Sequence, residues 1–109
     1  PAIDVLGVNS RVELAQAHHE LQMRHNRMIM LSGVTMYGPE NILISPDCQI
    51  GQDVVLHAGV QITGASVVGK EVEIGSGALL YNCQIGAGTV IRANAVLRNC
   101  TVKEGEKIR

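Results

Sequence analysis

The sequence contains no Phe and no Trp, and only two Tyr among its 109 residues, yet 46% of it is hydrophobic. A core without aromatic rings must be built from Val, Ile, Leu, Ala and Cys, which suits a narrow interior rather than a wide globular one. An excess of charge of one sign is missing too: nine basic against ten acidic residues leave a formal net charge of −1. That balance offers no basic stripe for nucleic acid and no cationic patch for an anionic membrane. Long apolar runs are absent. The stretch from Met28 to Leu31 falls far short of the roughly 20 residues that a membrane span needs, and the chain does not open on a signal-like segment. Cysteine is sparse and odd in number, with three residues and no paired CxxC spacing, so neither a disulfide framework nor a zinc site is indicated. The expected compartment is a reducing one, the cytoplasm. At this length the chain has room for one core and a linking element, not for two cores.

What is present in quantity is a period. Aliphatic residues recur at Ile44, Ile50, Leu56, Ile62, Val68, Ile74, Leu80, Ile85, Ile91, Leu97, Val102 and Ile108. Steps of six separate them, with steps of five at Leu80 to Ile85 and at Leu97 to Val102. A period of six is neither the two of a strand nor the 3.6 of a helix; it describes a short strand, a turn, and the same again. Three units then close one triangular coil. Ile44, Ile62, Leu80 and Leu97 should stack on one face, Ile50, Val68, Ile85 and Val102 on the second, and Leu56, Ile74, Ile91 and Ile108 on the third. Coils stacked about 4.8 Å apart satisfy the backbone between coils rather than within them. From Ile44 onward this gives about three and a half coils. Gly51, Gly69, Gly75 and Gly86 follow inward residues directly, where a corner needs positive φ or close backbone approach. Small or β-branched residues recur four positions after the inward ones, at Cys48, Val54, Val60, Ser66, Val72, Ala78, Thr89 and Ala95, and should fill the space between the columns. The two five-residue units place Cys83 and Cys100 one coil apart. They are either a redox pair or small core hydrophobes, and the second reading is favoured.

Ahead of the repeat, Ser10-Arg-Val-Glu13 has the form of a capping box, and Gly33 supplies a stop. A helix of about 21 residues, roughly 30 Å long, is expected between them. Leu14, Ala17, Leu21 and Met28 make one apolar stripe on it, to be buried on the β-helix, a partner subunit or another domain. His18, His19 and His25 also lie on this helix, but not at HExxH spacing and without a completing ligand, so they read as solvated or interface histidines. His57, alone among the repeats, is expected at the surface. The segment Ile3-Asp-Val-Leu-Gly-Val-Asn9 reads as a short strand running into the cap.

The hexads resemble the left-handed parallel β-helix of the acyltransferase superfamily, and the handedness rests on that resemblance. More specifically, Gly7-Val-Asn-Ser-Arg11 with Glu13-Leu-Ala15, the long helix, Ser32-Gly-Val-Thr35 and Pro39-Glu-Asn41 leading into hexads is similar to the middle of the bifunctional UDP-N-acetylglucosamine pyrophosphorylase/glucosamine-1-phosphate N-acetyltransferase family. The likeness covers essentially the whole chain, with Gly38 standing where that family usually has an Asp. It implies residues 1–9 as the end of a nucleotidyltransferase domain, 10–33 as a linking helix and 34–109 as part of the β-helix. It further implies a cytoplasmic homotrimer, a Mg²⁺-dependent uridylyl transfer and acetyl-CoA as co-substrate. Asn9 matches the family's asparagine that helps hold Mg²⁺ and contacts the sugar nucleotide. The family's phosphate loop and its acetyltransferase His, Arg, Lys and Tyr would lie outside this sequence, so the chain is expected to be an inactive internal segment with no catalytic residue of its own. Two other readings fit the pattern: a stand-alone trimerising hexapeptide scaffold, and the tail of another sugar-1-phosphate nucleotidyltransferase. A metal β-helix of the carbonic-anhydrase kind would need three histidines from adjacent coils, and the repeats hold one.

Overall fold

The fold of residues 10–109, described here from a computed structural model, begins with one helix, α1 (Arg11–Leu31). Ser10 is extended and its hydroxyl accepts from the Glu13 N–H at 3.2 Å, so the expected cap is in place. At the other end the Ser32 N–H reaches the Met28 and Ile29 carbonyls. Gly33 follows at φ +108°, bonded to the Met30 carbonyl at 3.0 Å; the left-handed turn off the helix is why glycine stands there.

Thirteen short strands follow, in about four turns of a left-handed β-helix. They form three parallel sheets. The first contains β1 (Thr35–Met36), β4 (Val55–Leu56), β7 (Glu73–Ile74), β10 (Val90–Ile91) and β13 (Lys107–Ile108). The second contains β2 (Leu43–Ile44), β5 (Gln61–Thr63), β8 (Leu79–Tyr81) and β11 (Val96–Arg98). The third contains β3 (Gln49–Ile50), β6 (Val67–Val68), β9 (Gln84–Ile85) and β12 (Thr101–Val102). The registers reproduce all three expected columns: Ile44 with Ile62, Leu80 and Leu97; Ile50 with Val68, Ile85 and Val102; Leu56 with Ile74, Ile91 and Ile108. The solenoid also begins one strand earlier than the period shows, because Met36 stands beside Leu56. A short 3-10 helix, Pro39–Asn41, lengthens the first coil and hides Met36 from a period of six.

Most inward residues are almost wholly buried, with Ile50, Leu97 and Ile108 only partly so, and those four positions on are buried from Val54 to Ala95. Cys48, at the start of that series, is half-buried. Each fully buried Ile or Leu contributes about 1.5–3 kcal/mol over an exposed one. The two buried hydroxyls are satisfied: Ser66 donates to the Thr63 carbonyl at 2.9 Å and accepts from the Cys83 N–H at 3.0 Å, while Thr89 bonds the Gly86 and Lys103 carbonyls. Of the two reasons for a corner glycine, close approach is the one that operates after the inward residue. A Cβ on Gly75 would lie 2.4 Å from the Ala93 nitrogen in the next coil, and Gly75 has no positive φ. Left-handed backbone occurs instead two or three positions after the inward residue, where Asp53, Glu71 and Asn94 accept it as well as glycine does.

The helix meets the solenoid on a face other than the apolar stripe, which removes the β-helix from the three surfaces that could bury that stripe. Leu21 and Met28 of the apolar stripe are 52% and 67% exposed, so that stripe is not what docks. Asn26 is buried instead, and its Nδ2 donates to the Pro39 and Ile42 carbonyls at 2.9 and 2.8 Å. The Gln22 amide also donates to the Ile42 carbonyl, and Ile29 and Met30 pack on the end of the core. The first coil has no coil before it at that corner, so helix side chains supply the donors that a preceding strand would have given.

Candidate functional site

Asn9, the expected ligand for sugar nucleotide and metal, lies outside the described residues. Among the described residues, no group of three or more His, Cys, Asp or Glu side chains is placed to hold a metal ion. The helix histidines stay apart from such chemistry: His18 and His19 are exposed. His25 is half-buried, and its Nε2 is hidden without a hydrogen-bond partner, as is Asn26 Oδ1. Together with Leu21, Leu43 and Pro46, the imidazoles of His18 and His25 line a groove of about 270 Å³ between helix and second sheet.

His57 lies at the surface, as its position in the hexad predicts, but it is not solitary. Its Nε2 is 2.8 Å from Glu73 Oε2 one coil on, and its ring stacks on Tyr37 one coil back, with centroids 5.2 Å apart. The period could have indicated Glu73, which lies on the strand below. Tyr37 could not be found that way, because the 3-10 helix shifts its register. The pair can pass a proton between imidazole and carboxylate, but it sits on an open sheet face with Glu73 about half exposed, where water screens both groups.

The second sheet presents the more enclosed surface. Thr63, Tyr81 and Arg98 are register partners on its outer face. With Gln61, Leu79 and Val96 they border a shallow hollow of about 270 Å³. Leu43, Leu79, Tyr81 and Val96 are 36–54% exposed there and form an apolar strip along this sheet. A hollow that joins an apolar strip to a phenol and a guanidinium is suited to another protein surface more than to a buried reaction centre.

The three cysteines are free thiols. Cys83 and Cys100 stack as the two five-residue units predict, with their sulfurs 3.6 Å apart. Burial raises the Cys100 pKa above the ordinary value of 9.0, and the neighbouring Cys83 thiol raises it further. Burial also raises that of Cys48, against backbone hydrogen bonds that lower it.

Residues 47–82 match the family model for the bacterial transferase hexapeptide repeat (six repeats). Among solved structures, serine acetyltransferase isoform 3 and serine acetyltransferase 1 from Entamoeba histolytica share the fold over 71% of this chain, with TM-scores of 0.59 and 0.60 at 19% identity. They cover 32% and 37% of those chains. The repeat, the sheets and these neighbours define a hexapeptide-repeat protein with a left-handed β-helix. Within that class, the chain is 49% identical over 105 residues to the bifunctional protein GlmU of Desulfotalea psychrophila and 41% identical over 96 residues to that of Bacillus velezensis. It is thus homologous to the bifunctional GlmU proteins along 96% and 88% of its own length, and spans 31% and 21% of theirs.

Proposed function

We propose that this chain forms the linking helix and first coils of the β-helical acetyltransferase region in an enzyme that makes UDP-N-acetylglucosamine. That enzyme acetylates glucosamine 1-phosphate with acetyl-CoA, then transfers a uridylyl group from UTP. The chain's own part is that of a scaffold, without turnover by itself. The observation that carries this reading is the alignment to GlmU from α1 through the coils at 49% identity. The described residues support the scaffold role, since their one His–carboxylate pair, His57 with Glu73, stands on an exposed face.

In this reading residues 1–9 end the nucleotidyltransferase domain, and Asn9 contacts the sugar nucleotide and ligates Mg²⁺. An amide oxygen is a hard donor of the kind Mg²⁺ takes. Ser10 already caps α1, so the cap does not call on Asn9. When bound, Mg²⁺ neutralises charge on the transferring phosphates. The protein assembles as a homotrimer in the cytoplasm, and the strip of Leu43, Leu79, Tyr81 and Val96 supports a subunit contact there.

Supplying the chain with UTP, Mg²⁺, acetyl-CoA and glucosamine 1-phosphate tests the scaffold role. No acetylated sugar phosphate and no pyrophosphate should form; turnover of either kind overturns it.

A further inference from the structure

We propose that Cys83 and Cys100 are a dithiol modification site, which a hydroperoxide converts to a disulfide joining two successive coils.

The two thiols occupy the same place in equivalent turns. Each follows an asparagine in left-handed backbone, Asn82 at φ +51° and Asn99 at φ +50°. The strands that leave these turns are in register, with Gln84 beside Thr101, and the Gln84 N–H bonds the Cys100 carbonyl at 2.9 Å. Adjacent strands run about 4.8 Å apart, inside the Cα window of about 4.4–6.8 Å in which a disulfide closes without backbone movement. The sulfurs already stand at 3.6 Å, so side-chain rotation is the motion that remains. The two five-residue units bring these positions together whatever residues fill them, and Cys83, like Cys48, also has backbone carbonyls against its sulfur; what sets the pair apart is that each thiol has a second thiol within reach, which Cys48 lacks.

Burial sets the order of events. Cys83 is fully buried, whereas Cys100 is partly exposed. The Cys100 thiolate attacks one peroxide oxygen; the O–O bond breaks and hydroxide leaves, taking up the thiol's proton as water. Cys83 then attacks the resulting sulfenic sulfur; the S–S bond forms, the S–O bond breaks, and a second water departs. Two thiols supply the two electrons that reduce the peroxide, and no further reactant is needed. The raised pKa of Cys100 makes the first step slow at neutral pH and faster as pH rises.

The test treats the full chain with hydrogen peroxide, quenches it by alkylation in denaturant, and maps the peptides without reduction. The expected product is an intramolecular Cys83–Cys100 cross-link, reversed by dithiothreitol, with Cys48 still alkylated. The oxidised wild type should also melt at a higher temperature than the reduced form, and Cys100→Ser should show no such shift. Cys83→Ala keeps the reactive thiol without its partner, and should accumulate a Cys100 sulfenic acid that dimedone traps. Oxidation of Cys100 to sulfinic acid while Cys83 stays free in the wild type would overturn the proposal, as would a cross-link through Cys48 or between chains.

Discussion

The Asn26 side chain donates to the Ile42 carbonyl at 2.8 Å from a wholly buried position on α1. The same amide nitrogen bonds the Pro39 carbonyl at 2.9 Å, so one side chain ties the helix to both ends of the short 3-10 helix. A long helix is usually fixed to its core by an apolar stripe. Here a polar residue does that work, beside Ile29 and Met30.

Asn26→Ala should therefore destabilise the fold by about 1–3 kcal/mol, the cost of two lost hydrogen bonds and of the space that a wholly buried side chain leaves. Met28→Ala, on the 67% exposed part of the stripe, should change stability by less than about 0.5 kcal/mol. Urea unfolding followed by circular dichroism compares the two, and equal effects would contradict the assigned docking face.

The glycines separate two kinds of constraint. Alanine at Gly75 would place a Cβ 2.4 Å from the Ala93 nitrogen and 2.8 Å from its Cα. Neither atom can move without shifting the next coil, so a cost of about 1–3 kcal/mol is expected. Gly88 has open space around it but φ +72°; alanine there meets only the left-handed penalty of about 1–2 kcal/mol. Asparagine, which already takes this conformation at Asn94, should cost less than alanine at position 88. Thermal melts should rank the variants Gly75→Ala, Gly88→Ala, Gly88→Asn from least to most stable.

These two kinds of position also mark what the sequence discloses. The three columns could be read because inward residues must repeat at the length of one side of the coil, and the five-residue units merely shorten one side. Glycine after the inward residue could be noticed, but the choice between positive φ and close approach needs the distance to the next coil. The first strand escaped because Pro39–Asn41 interrupts the count. The docking face escaped for a different reason: an apolar pattern identifies where hydrocarbon could be buried, while Asn26 is buried for its hydrogen bonds, which no periodicity reports. At the candidate sites, the stacking of Cys83 on Cys100 followed from spacing, whereas the Tyr37–His57 contact depends on the irregular first coil.

The raised thiol pKa values give stability a pH dependence of definite sign. Folding holds Cys48 and Cys100 protonated above their ordinary value of 9.0. The unfolded chain therefore releases these protons first as pH rises, and the stability they contribute is full below that value and lost above it. Melting temperature measured from pH 7 upward should fall beyond pH 9, and Cys48→Ala with Cys100→Ala should remove part of the slope. An unchanged slope in the double variant would assign the fall to other groups.

On the outer face of the second sheet, Leu79 and Val96 are register partners and exposed, with Leu80 buried in the inward column beside them. Leu80→Ala should cost about 2–5 kcal/mol because it opens a cavity in the stack. Leu79→Arg with Val96→Asp should leave the monomer's stability nearly unchanged and weaken association between chains. Equilibrium sedimentation of wild type and variant tests this. A wild type that stays monomeric at every concentration removes the subunit-contact role of this face.

The most direct test of the proposed function exchanges segments. The residues of Desulfotalea psychrophila GlmU that align with this chain, over 105 positions, are replaced by the present sequence, and acetyl transfer to glucosamine 1-phosphate and uridylyl transfer from UTP are both measured. A chain that is the corresponding linker and β-helix gives a chimera that assembles as its parent does and keeps both activities. A folded chimera that has lost acetyl transfer would contradict the account.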